Sequence, residues 1–376
     1  MSHCLHLMDA YLHRTETFIW QFMRKSQRFT PLVLADVLEN LDQFPLPKGE
    51  FLRIRPSRPL WPRLGARLLG SYAQVKYPGG LKTLADRDIA VCHAHNGFRA
   101  VITRDFTTAL GKPLLVNFYG ADVSSKPFLR RAASGYRRVF NSARFLLVEG
   151  LAMHQRLIEL GAPEEKIRIQ RIAIDPSEYP FRERNWDGQR EIRLLFIGRL
   201  VEKKGLAIGL QALAYTKLNF PWRLTVIGDG PLQASLKSQV MALGIQDRVH
   251  FAGYRSLSET RAAMTEHDLL FQPSHVAADG DAEGGAPTVI LEAQACGLPV
   301  VSTLHDDIPY VTIPGQSAWL APQGEADALA YVLRQAMGES SHWGTMGQAG
   351  RAKIESDHDV NKEIIALENL YAEAMG

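Results

Sequence analysis

Cysteine is scarce in this chain. Cys4, Cys92 and Cys296 are the three cysteines among 376 residues, and they are widely spaced and odd in number. Such a set provides neither a disulfide framework nor the paired spacing of a zinc motif, which excludes the small disulfide-rich secreted domains. The pattern indicates a reducing compartment.

Long apolar runs are also missing. No run approaches the roughly 20 residues that span a bilayer. The N-terminus, MSHCLHLMDAY, has no basic lead and too short an apolar core for a secretory signal. We therefore expect a cytoplasmic protein whose membrane contacts are peripheral, at the cytoplasmic face of the membrane.

The composition is typical of a globular protein with two domains. Hydrophobic residues make up 46% and charged residues 22% of the chain, and domains commonly hold about 100–150 residues. The polar segment 179–191, which contains Pro and Gly, is the best linker between a first domain over 1–180 and a second over 190–358. A single large α/β domain is the alternative.

Charge is distributed unevenly along the chain. Residues 1–180 carry 26 Lys and Arg against 16 Asp and Glu, whereas the remainder carries 17 against 24. Within 51–144 there are 17 basic and 4 acidic residues. The basic half favours an anionic partner, such as a phospholipid surface or a lipid pyrophosphate. No nucleic-acid-binding motif accompanies it, so no nucleic acid is expected.

In the second half, strands and helices alternate with short links, which predicts an open parallel sheet with helices on both faces. Ser256 and Glu259 form a capping box at the start of one helix. The predicted strands are 192–198, 222–228, 249–253, 269–274 and 300–303, and the predicted helices are 204–216, 231–243, 256–267 and 287–296.

The first half alternates less cleanly, but it also reads as a doubly wound domain. Its predicted strands are 4–9, 32–36, 89–95, 114–120 and 145–150, with helices over 15–26 and 129–140. The last stretch, 360–376, is predicted to be a helix that can return to the first domain. The predicted fold class is therefore α/β, with two Rossmann-like domains of parallel sheet.

The segment GRLVEKKG (198–205) is a candidate phosphate site, because ligands bind at the carboxyl ends of parallel strands. Arg199 ends a strand, and Lys203 and Lys204 begin the next helix. Helix N-termini attract anions, and an Arg fork beside a mobile Lys charge suits a pyrophosphate. A solvated basic turn is the alternative. The GDGPL turn at Gly228 is weak evidence by itself.

The segment DGDAEGGAPTVILEAQACGLPVVST (279–303) carries two glutamates around a glycine-rich turn that opens a helix. Glu292 lies inside an otherwise apolar helix, and a buried carboxylate needs a polar partner, for which a ribose diol is suitable. Glu283 can hold sugar hydroxyls, and the backbone amides of 284–288 point into the same space. The alternative for Glu292 is a helix-edge residue that reaches solvent.

Four segments occur in this order along the chain: GRLVEKKG, V-I-G-D-G-P-L, F-x-G and the paired glutamates before E-A-x-A-x-G-x-P-V-V. As a set, they resemble family 4 of the retaining glycosyltransferases. The resemblance is strongest over 190–325. It weakens towards the N-terminus, where TETFI (15–19), CHAHNG (92–97) and NFYGADVS (117–124) resemble bacterial members that build surface polysaccharides. The resemblance implies the GT-B fold, in which two Rossmann-like domains face each other across a cleft.

The resemblance also assigns roles. Arg199 and Lys204 would grip the pyrophosphate of a nucleoside-diphosphate hexose, Glu283 would bind the hexose, and Glu292 would bind the ribose. The leaving phosphate itself would take the acceptor proton, with the anomeric configuration retained and with no metal or further cofactor. The expected acceptor is a saccharide, namely a lipid-linked oligosaccharide in surface polysaccharide biosynthesis. The full donor-binding set is Gly198, Arg199, Lys204, Gly228, Gly284, Gly285, Thr288 and Glu292.

The chain departs from the family pattern at three places. Eight residues separate Glu283 from Glu292, where the family has seven. Tyr119 stands where many members have His, and a phenol cannot do a histidine's acid–base work near neutral pH. The Gly-Gly loop after the first strand is replaced by DAYLHRTET (9–17).

The acceptor side is expected at the ends of strands in the first domain. His95, Asn96, Tyr119 and Asp122 are its candidates. His93 and His95 point to the same face of one strand, so a metal pair is conceivable, but no third ligand lies nearby in sequence and no metal site is assigned. The D-x-D at 279–281 is interpreted as a solvated acidic loop.

Two segments mix arginine with apolar residues in the way that suits a membrane surface. The first is the predicted helix with Arg130, Arg131, Arg137 and Arg138, and the second is 51–69. Solvated helix faces are the alternative for both.

Three other functions remain open at this point. A nucleotide-sugar epimerase or phosphorylase would use the same fold, and it would need no saccharide acceptor or would use free phosphate. A non-catalytic sugar- or lipid-binding scaffold is permitted by Tyr119 and by the longer glutamate spacing. A nicotinamide dehydrogenase is disfavoured, because no complete G-x-G-x-x-G follows a suitable strand.

Overall fold

The computed structural model describes residues 1–13, 16–53, 80–216 and 220–376. Most of the basic segment 51–69 therefore lies outside the described residues. The chain forms two compact units. The N-terminal unit holds residues 1–123, 127–173 and 360–376, and the C-terminal unit holds residues 124–126 and 174–359.

Each unit contains one parallel sheet. The strands of the N-terminal sheet are β1 (His3–Tyr11), β2 (Thr30–Leu38), β3 (Glu50–Arg53), β4 (Ile89–His95), β5 (Leu114–Asn117), β6 (Phe145–Val148) and β7 (Ile167–Ile169). The strands of the C-terminal sheet are β8 (Ile192–Ile197), β9 (Trp222–Ile227), β10 (Val249–Gly253), β11 (Leu269–Gln272), β12 (Val300–Thr303) and β13 (Ala318–Ala321). The order of strands is β3-β2-β1-β4-β5-β6-β7 in the N-terminal sheet and β10-β9-β8-β11-β12-β13 in the C-terminal sheet. The α/β prediction is confirmed. The strands that the sequence analysis missed, β3, β7 and β13, are short strands at sheet edges.

Helices connect the strands in both units. In the described residues they are α1 (Thr17–Lys25), α2 (Gly80–Leu84), α3 (Gly97–Leu110), α4 (Ala121–Ser124), α5 (Lys126–Ser142), α6 (Leu151–Glu159), α7 (Leu206–Tyr215), α8 (Gln233–Ala242), α9 (Leu257–Glu266), α10 (Thr288–Ala295), α11 (Ile308–Val311), α12 (Ala326–Gly338), α13 (Trp343–Asp357) and α14 (Val360–Met375). The predicted capping box of Ser256 and Glu259 is present at the start of α9. None of the described helices is long and apolar enough to cross a membrane.

The N-terminal sheet is covered on both faces. Leu5 and Leu7 of β1 point into one core, while Cys4 points into a second core with Leu367 and Tyr371 of α14. Glu368 of α14 is 1% exposed. It accepts hydrogen bonds from the backbone amides of residues 27 and 28, at 2.7 and 2.8 Å. The last helix is therefore an integral part of the N-terminal unit.

The segment 179–191 packs inside the C-terminal unit. The chain passes between the units at 173–174, ahead of the linker that composition suggested. Arg184 is 3% exposed, and its guanidinium donates to the carbonyls of His267 (3.1 Å) and Cys296 (2.6 Å). The polar composition of the segment therefore reflects buried hydrogen bonding in addition to surface exposure.

The ends of β8 and β9 approach each other closely at Gly228. Its φ is +130°, and a Cβ at this position would lie 2.0 Å from the carbonyl oxygen of Gly198. The Gly228 amide in turn donates to the Gly253 carbonyl at 2.9 Å. This contact fixes the loop that carries Arg199 and Lys204, so Gly228 has a steric role that the short GDGPL motif alone did not reveal.

We expect Gly228→Ala to destabilise the protein by at least about 3 kcal/mol, because it adds a backbone clash to a left-handed conformation. Gly244→Ala is the matched control, since Gly244 has φ +67° and nothing within 4 Å of an added Cβ. That change should cost about 1 kcal/mol. Urea unfolding measures both variants, and equal losses would contradict the steric account.

Candidate functional site

The loops at the carboxyl end of the C-terminal sheet bring Lys204 and Glu283 together. The Lys204 Nζ lies 2.8 Å from Glu283 Oε2, and the Glu283 side chain is 5% exposed. The second carboxylate oxygen, Oε1, accepts a hydrogen bond from Ser274 at 2.8 Å. Two residues that lie 79 positions apart in sequence thus form one ion pair at the place where the sequence analysis put the donor pyrophosphate and hexose.

Electrostatics keep Glu283 ionised. Burial by itself raises the pKa of this carboxyl, but the charges of Lys204 and Lys203 and the hydrogen bonds from Lys204 and Ser274 outweigh burial and hold the pKa below its ordinary value. The Glu283 carboxylate is therefore a hydrogen-bond acceptor near neutral pH, which suits sugar hydroxyls.

The two other basic residues of the loop differ in their environment. Lys203 donates to Asp281 Oδ1 at 3.1 Å and to the Ala282 carbonyl at 3.0 Å, so it ties the acidic loop to the segment after β8. Arg199 is exposed, and it makes no ion pair with any residue the structure describes. Of these two side chains, Arg199 is the one available to an anion.

The turn before α10 only partly matches the expected amide cradle. The Gly284 amide donates to Asp306 Oδ2 at 2.7 Å, and the Glu283 amide donates to His305 Nε2 at 3.2 Å. His305 and Asp306, which lie in the segment after β12, therefore accept hydrogen bonds from this turn. The Gly284 amide had been expected to bind a ligand. Within the described chain, the amides of Gly285 and Thr288 make no hydrogen bond.

Glu292 lies on α10, one turn after Thr288, so the two side chains share a helix face. It is 8% exposed, and its Oε1 accepts a hydrogen bond from the Tyr179 hydroxyl at 3.0 Å. Burial raises the pKa of Glu292, and the Tyr179 bond and the Arg261 charge only partly offset this effect. Its Oε2 makes no hydrogen bond in the part of the chain that the structure describes, which leaves one oxygen for a polar ligand.

Tyr179 is itself held in place by Arg261. The Arg261 guanidinium lies 4.6 Å from the centroid of the Tyr179 ring and pairs with Glu178. The sequence analysis missed these residues, because 179 falls in the presumed linker and 261 on a helix with a mostly polar surface. Ser274 and His305 were missed as well, although Ser274 ends one predicted strand and His305 lies two residues after another.

In the N-terminal unit, His95 and Tyr119 form a hydrogen-bonded pair at the ends of β4 and β5. The His95 Nδ1 lies 2.8 Å from the Tyr119 hydroxyl. Burial, with smaller contributions from His93 and His6, holds the pKa of His95 well below its ordinary value, so its imidazole is neutral near pH 7. Asn96 has φ +95° and caps α3 by accepting the Arg99 amide at 2.7 Å.

Asp122 has a structural task. It is 3% exposed, and it accepts the backbone amides of Gly97 (2.9 Å), Tyr119 (3.0 Å) and Gly120 (3.1 Å). Burial raises the pKa of Asp122 and these amides counteract the rise. The carboxylate thus joins the loops after β4 and β5 and fixes the backbone that carries Tyr119.

Comparisons with known proteins identify the family of the chain. The model of the glycosyl transferases group 1 matches residues 181–353, and that of the glycosyl transferase 4-like domain matches residues 41–171. The amylovoran biosynthesis glycosyltransferase AmsK of Erwinia amylovora is 36% identical over 72% of this chain and 66% of its own length. WcaL of Escherichia coli, named for colanic acid biosynthesis, is 30% identical over 77% of this chain and 71% of its own length.

Solved structures share the whole architecture. Anabaena HepE in complex with UDP has a TM-score of 0.78 at 18% identity and covers 98% of this chain, which in turn covers 100% of that chain. WaaG, named for lipopolysaccharide biosynthesis, has a TM-score of 0.67 at 17% identity and covers 98% of this chain, which covers 99% of WaaG. The chain therefore belongs to glycosyltransferase family 4, the group 1 glycosyltransferases with the GT-B fold.

Proposed function

We propose that this protein is a retaining hexosyltransferase that moves a hexose from a nucleoside-diphosphate sugar to a saccharide acceptor in surface polysaccharide biosynthesis. The observation that carries the proposal is the buried pair of Lys204 and Glu283, 2.8 Å apart. A hexosyl diphosphate presents a charged phosphate directly beside a hydroxylated ring. The cation of Lys204 lies directly beside the carboxylate of Glu283, so the two side chains can meet the phosphate and the ring hydroxyls in the same order.

The donor would replace the internal ion pair with two contacts of its own. Lys204 would turn to the pyrophosphate together with exposed Arg199, and Glu283 would accept hydroxyl groups of the hexose. The free Oε2 of Glu292 would accept the ribose diol. These cations stabilise charge on the leaving nucleoside diphosphate, so the transfer step needs no metal at this site.

A same-face substitution fits the charges. The bond from the anomeric carbon to the phosphate oxygen breaks, the bond to the acceptor oxygen forms, and the acceptor proton passes to the departing phosphate. Glu283 accepts hexose hydroxyl groups in this arrangement and is assigned no nucleophilic role. Burial and the charges of Glu149 and Glu16 raise the pKa of Tyr119 well above its ordinary value, so Tyr119 is a hydrogen-bond donor and not a base.

The acceptor would meet His95, Asn96 and Tyr119 of the N-terminal unit. Asp122 supports this set by fixing the Tyr119 backbone and is a positioning residue. AmsK and WcaL carry names that refer to amylovoran and colanic acid biosynthesis, and HepE was crystallised with UDP-glucose. The UDP-glucose of HepE supports a nucleoside-diphosphate hexose donor, and the two names support a saccharide acceptor in polysaccharide biosynthesis.

A peripheral membrane position at the cytoplasmic face fits α5. Arg130, Arg131, Arg137 and Arg138 are exposed along one side of this helix, while Tyr136 on the other side is buried. In the described chain, these four arginines form no ion pair. A basic stripe of this kind attracts anionic lipid headgroups, where a lipid-linked acceptor resides.

We expect Lys204→Ala to lower kcat by about 10²–10³-fold, the usual cost of removing one donor that stabilises a developing anion. Glu292→Gln should weaken binding of the nucleoside diphosphate by about 10–100-fold, because a charge-assisted hydrogen bond to the ribose is lost. Thermal shift with UDP, GDP, ADP and CMP, with and without EDTA, measures binding. Transfer to an extracted lipid-linked acceptor measures turnover.

Arg255→Ala is the control for these variants, because Arg255 is exposed and its contacts are local, an i,i+4 pair with Glu259 and a hydrogen bond to the Tyr254 carbonyl. It should leave both binding and turnover unchanged. The proposed donor site would be contradicted if none of the nucleoside diphosphates stabilised the wild-type protein. It would also be contradicted if a nucleoside diphosphate stabilised the wild type and Lys204→Ala equally. A product that forms without a saccharide acceptor would point to an epimerase or phosphorylase.

The stereochemical proposal has its own test. Proton NMR of the product formed from an α-linked nucleotide hexose should show an α linkage at the earliest time points. An initial β product would exclude retention, while the proposed donor site itself would stand.

Vesicle binding tests the basic stripe of α5. We expect each Arg→Gln change among the four arginines to weaken sedimentation with phosphatidylglycerol vesicles about fivefold, the equivalent of about 1 kcal/mol per charge. Arg255→Gln should not change it. Binding that is equally strong to neutral phosphatidylcholine vesicles, or that is unaffected by the α5 changes, would contradict this surface.

A further inference from the structure

One face of the N-terminal sheet carries an unusual column of polar side chains. Side chains alternate along a strand, so Cys4 and His6 of β1 share a face, as do His93 and His95 of β4. The strands are parallel neighbours, and His6 lies opposite His93 in their register. The sequence analysis found no third ligand near His93 and His95, but the sheet supplies two ligands from β1.

The Cys4 thiol and one ring nitrogen from each of His6 and His93 lie within 4.8 Å of one another. The three residues are 1%, 4% and 2% exposed. We infer that Cys4, His6 and His93 form a zinc-binding site within the N-terminal unit. One thiolate and two imidazoles are ligands that select zinc over magnesium or calcium, and three protein ligands with one exchangeable position are typical of tetrahedral zinc.

The hydrogen bonds of His93 fit a metal ligand. Its Nε2 contacts Asn117 Oδ1, and because a carbonyl oxygen only accepts, Nε2 carries the proton. Its Nδ1 therefore offers a lone pair, which lies 2.7 Å from the Tyr371 hydroxyl. Metal-bound histidines commonly donate their second ring N–H to a carbonyl or carboxylate in this way, which orients the ring.

His6 can adopt the same arrangement. Its Nδ1 lies 2.9 Å from His95 Nε2, and His95 Nδ1 lies 2.8 Å from the Tyr119 hydroxyl. When His6 donates to His95 and His95 donates to Tyr119, the lone pair of His6 Nε2 is left for the metal. A bound ion would therefore also fix the tautomer of His95 and the position of Tyr119.

Burial keeps both imidazoles in the neutral form that zinc requires. It lowers the pKa of His93 to about 4 and that of His6 well below its ordinary value. Burial also raises the pKa of the Cys4 thiol. Zinc binding consequently breaks the Cys4 S–H bond, forms an S–Zn bond and releases one proton to solvent.

A small cavity beside the cluster provides the fourth position. It measures about 20 Å³ and is lined by His6, His93 and Asn117, among others. That volume holds one water molecule. The Tyr371 hydroxyl contacts His93 Nδ1 at 2.7 Å, so it would move aside when the ion binds. The cluster belongs to the N-terminal unit, whereas Lys204 and Glu283 belong to the C-terminal unit. The zinc site therefore does not involve the residues that are proposed to bind the donor.

Metal analysis of the full chain tests the inference. Protein purified without chelator should contain about one zinc per chain by mass spectrometry. After removal of zinc, titration with Co²⁺ should saturate at about one equivalent and produce an intense near-ultraviolet band from thiolate-to-cobalt charge transfer. Less than about a tenth of an equivalent of either metal, or Co²⁺ spectra without that band, would overturn the site.

Matched variants identify the ligands. Cys4→Ser should abolish the charge-transfer band, whereas Cys92→Ser should retain it, because buried Cys92 points to the opposite face of the sheet. Asn117→Ala keeps all three ligands and should weaken Co²⁺ affinity about 10–100-fold. If Cys4→Ser does not fold, the Co²⁺ spectrum of the wild type and the Co²⁺ affinity of Asn117→Ala still test the site. A band that persists in folded Cys4→Ser, or an unchanged affinity in Asn117→Ala, would contradict the assignment.

Discussion

Parallel pairing is the constraint on which the rest of this structure depends. In both sheets every strand runs parallel to its neighbours, so all strands of a unit end at one edge and their following loops collect there. In the C-terminal unit this edge joins Lys204, after β8, to Glu283, after β11. In the N-terminal unit it joins His95, at the end of β4, to Tyr119, after β5. Residues far apart in sequence become neighbours because of this geometry.

The charged side chains of the proposed donor site, Lys204 and Glu283, need no ligand for stability because they form an ion pair with each other. A buried carboxylate without a partner costs several kcal/mol, and Lys204 and Ser274 remove that cost for Glu283. Glu292 is accommodated differently. One of its carboxylate oxygens accepts a hydrogen bond from Tyr179, and burial keeps the pKa of the carboxyl raised. In the proposed function, a nucleotide sugar would exchange these internal partners for its own phosphates and hydroxyls.

The sequence predicted the α/β class and the central strands, because buried parallel strands are apolar runs between turn residues. It missed β3, β7 and β13, which are short edge strands with weaker apolar patterns. It placed Lys204 and Glu283 at one site, but it did not reveal that they pair or that Asp306 takes the Gly284 amide. Partners such as Tyr179 and Arg261 depend on tertiary packing. The alternation of Cys4 with His6 was visible in the sequence, but their approach to His93 depends on the order of strands in the sheet.

The most direct test of this account is a crystal structure of the protein with a bound nucleoside diphosphate. We expect the pyrophosphate to lie within hydrogen-bonding distance of Arg199 and Lys204, with the ribose on Glu292 and Glu283 released towards the hexose position. A nucleotide bound elsewhere, with Lys204 still paired to Glu283, would contradict the central claim that this ion pair marks the donor site.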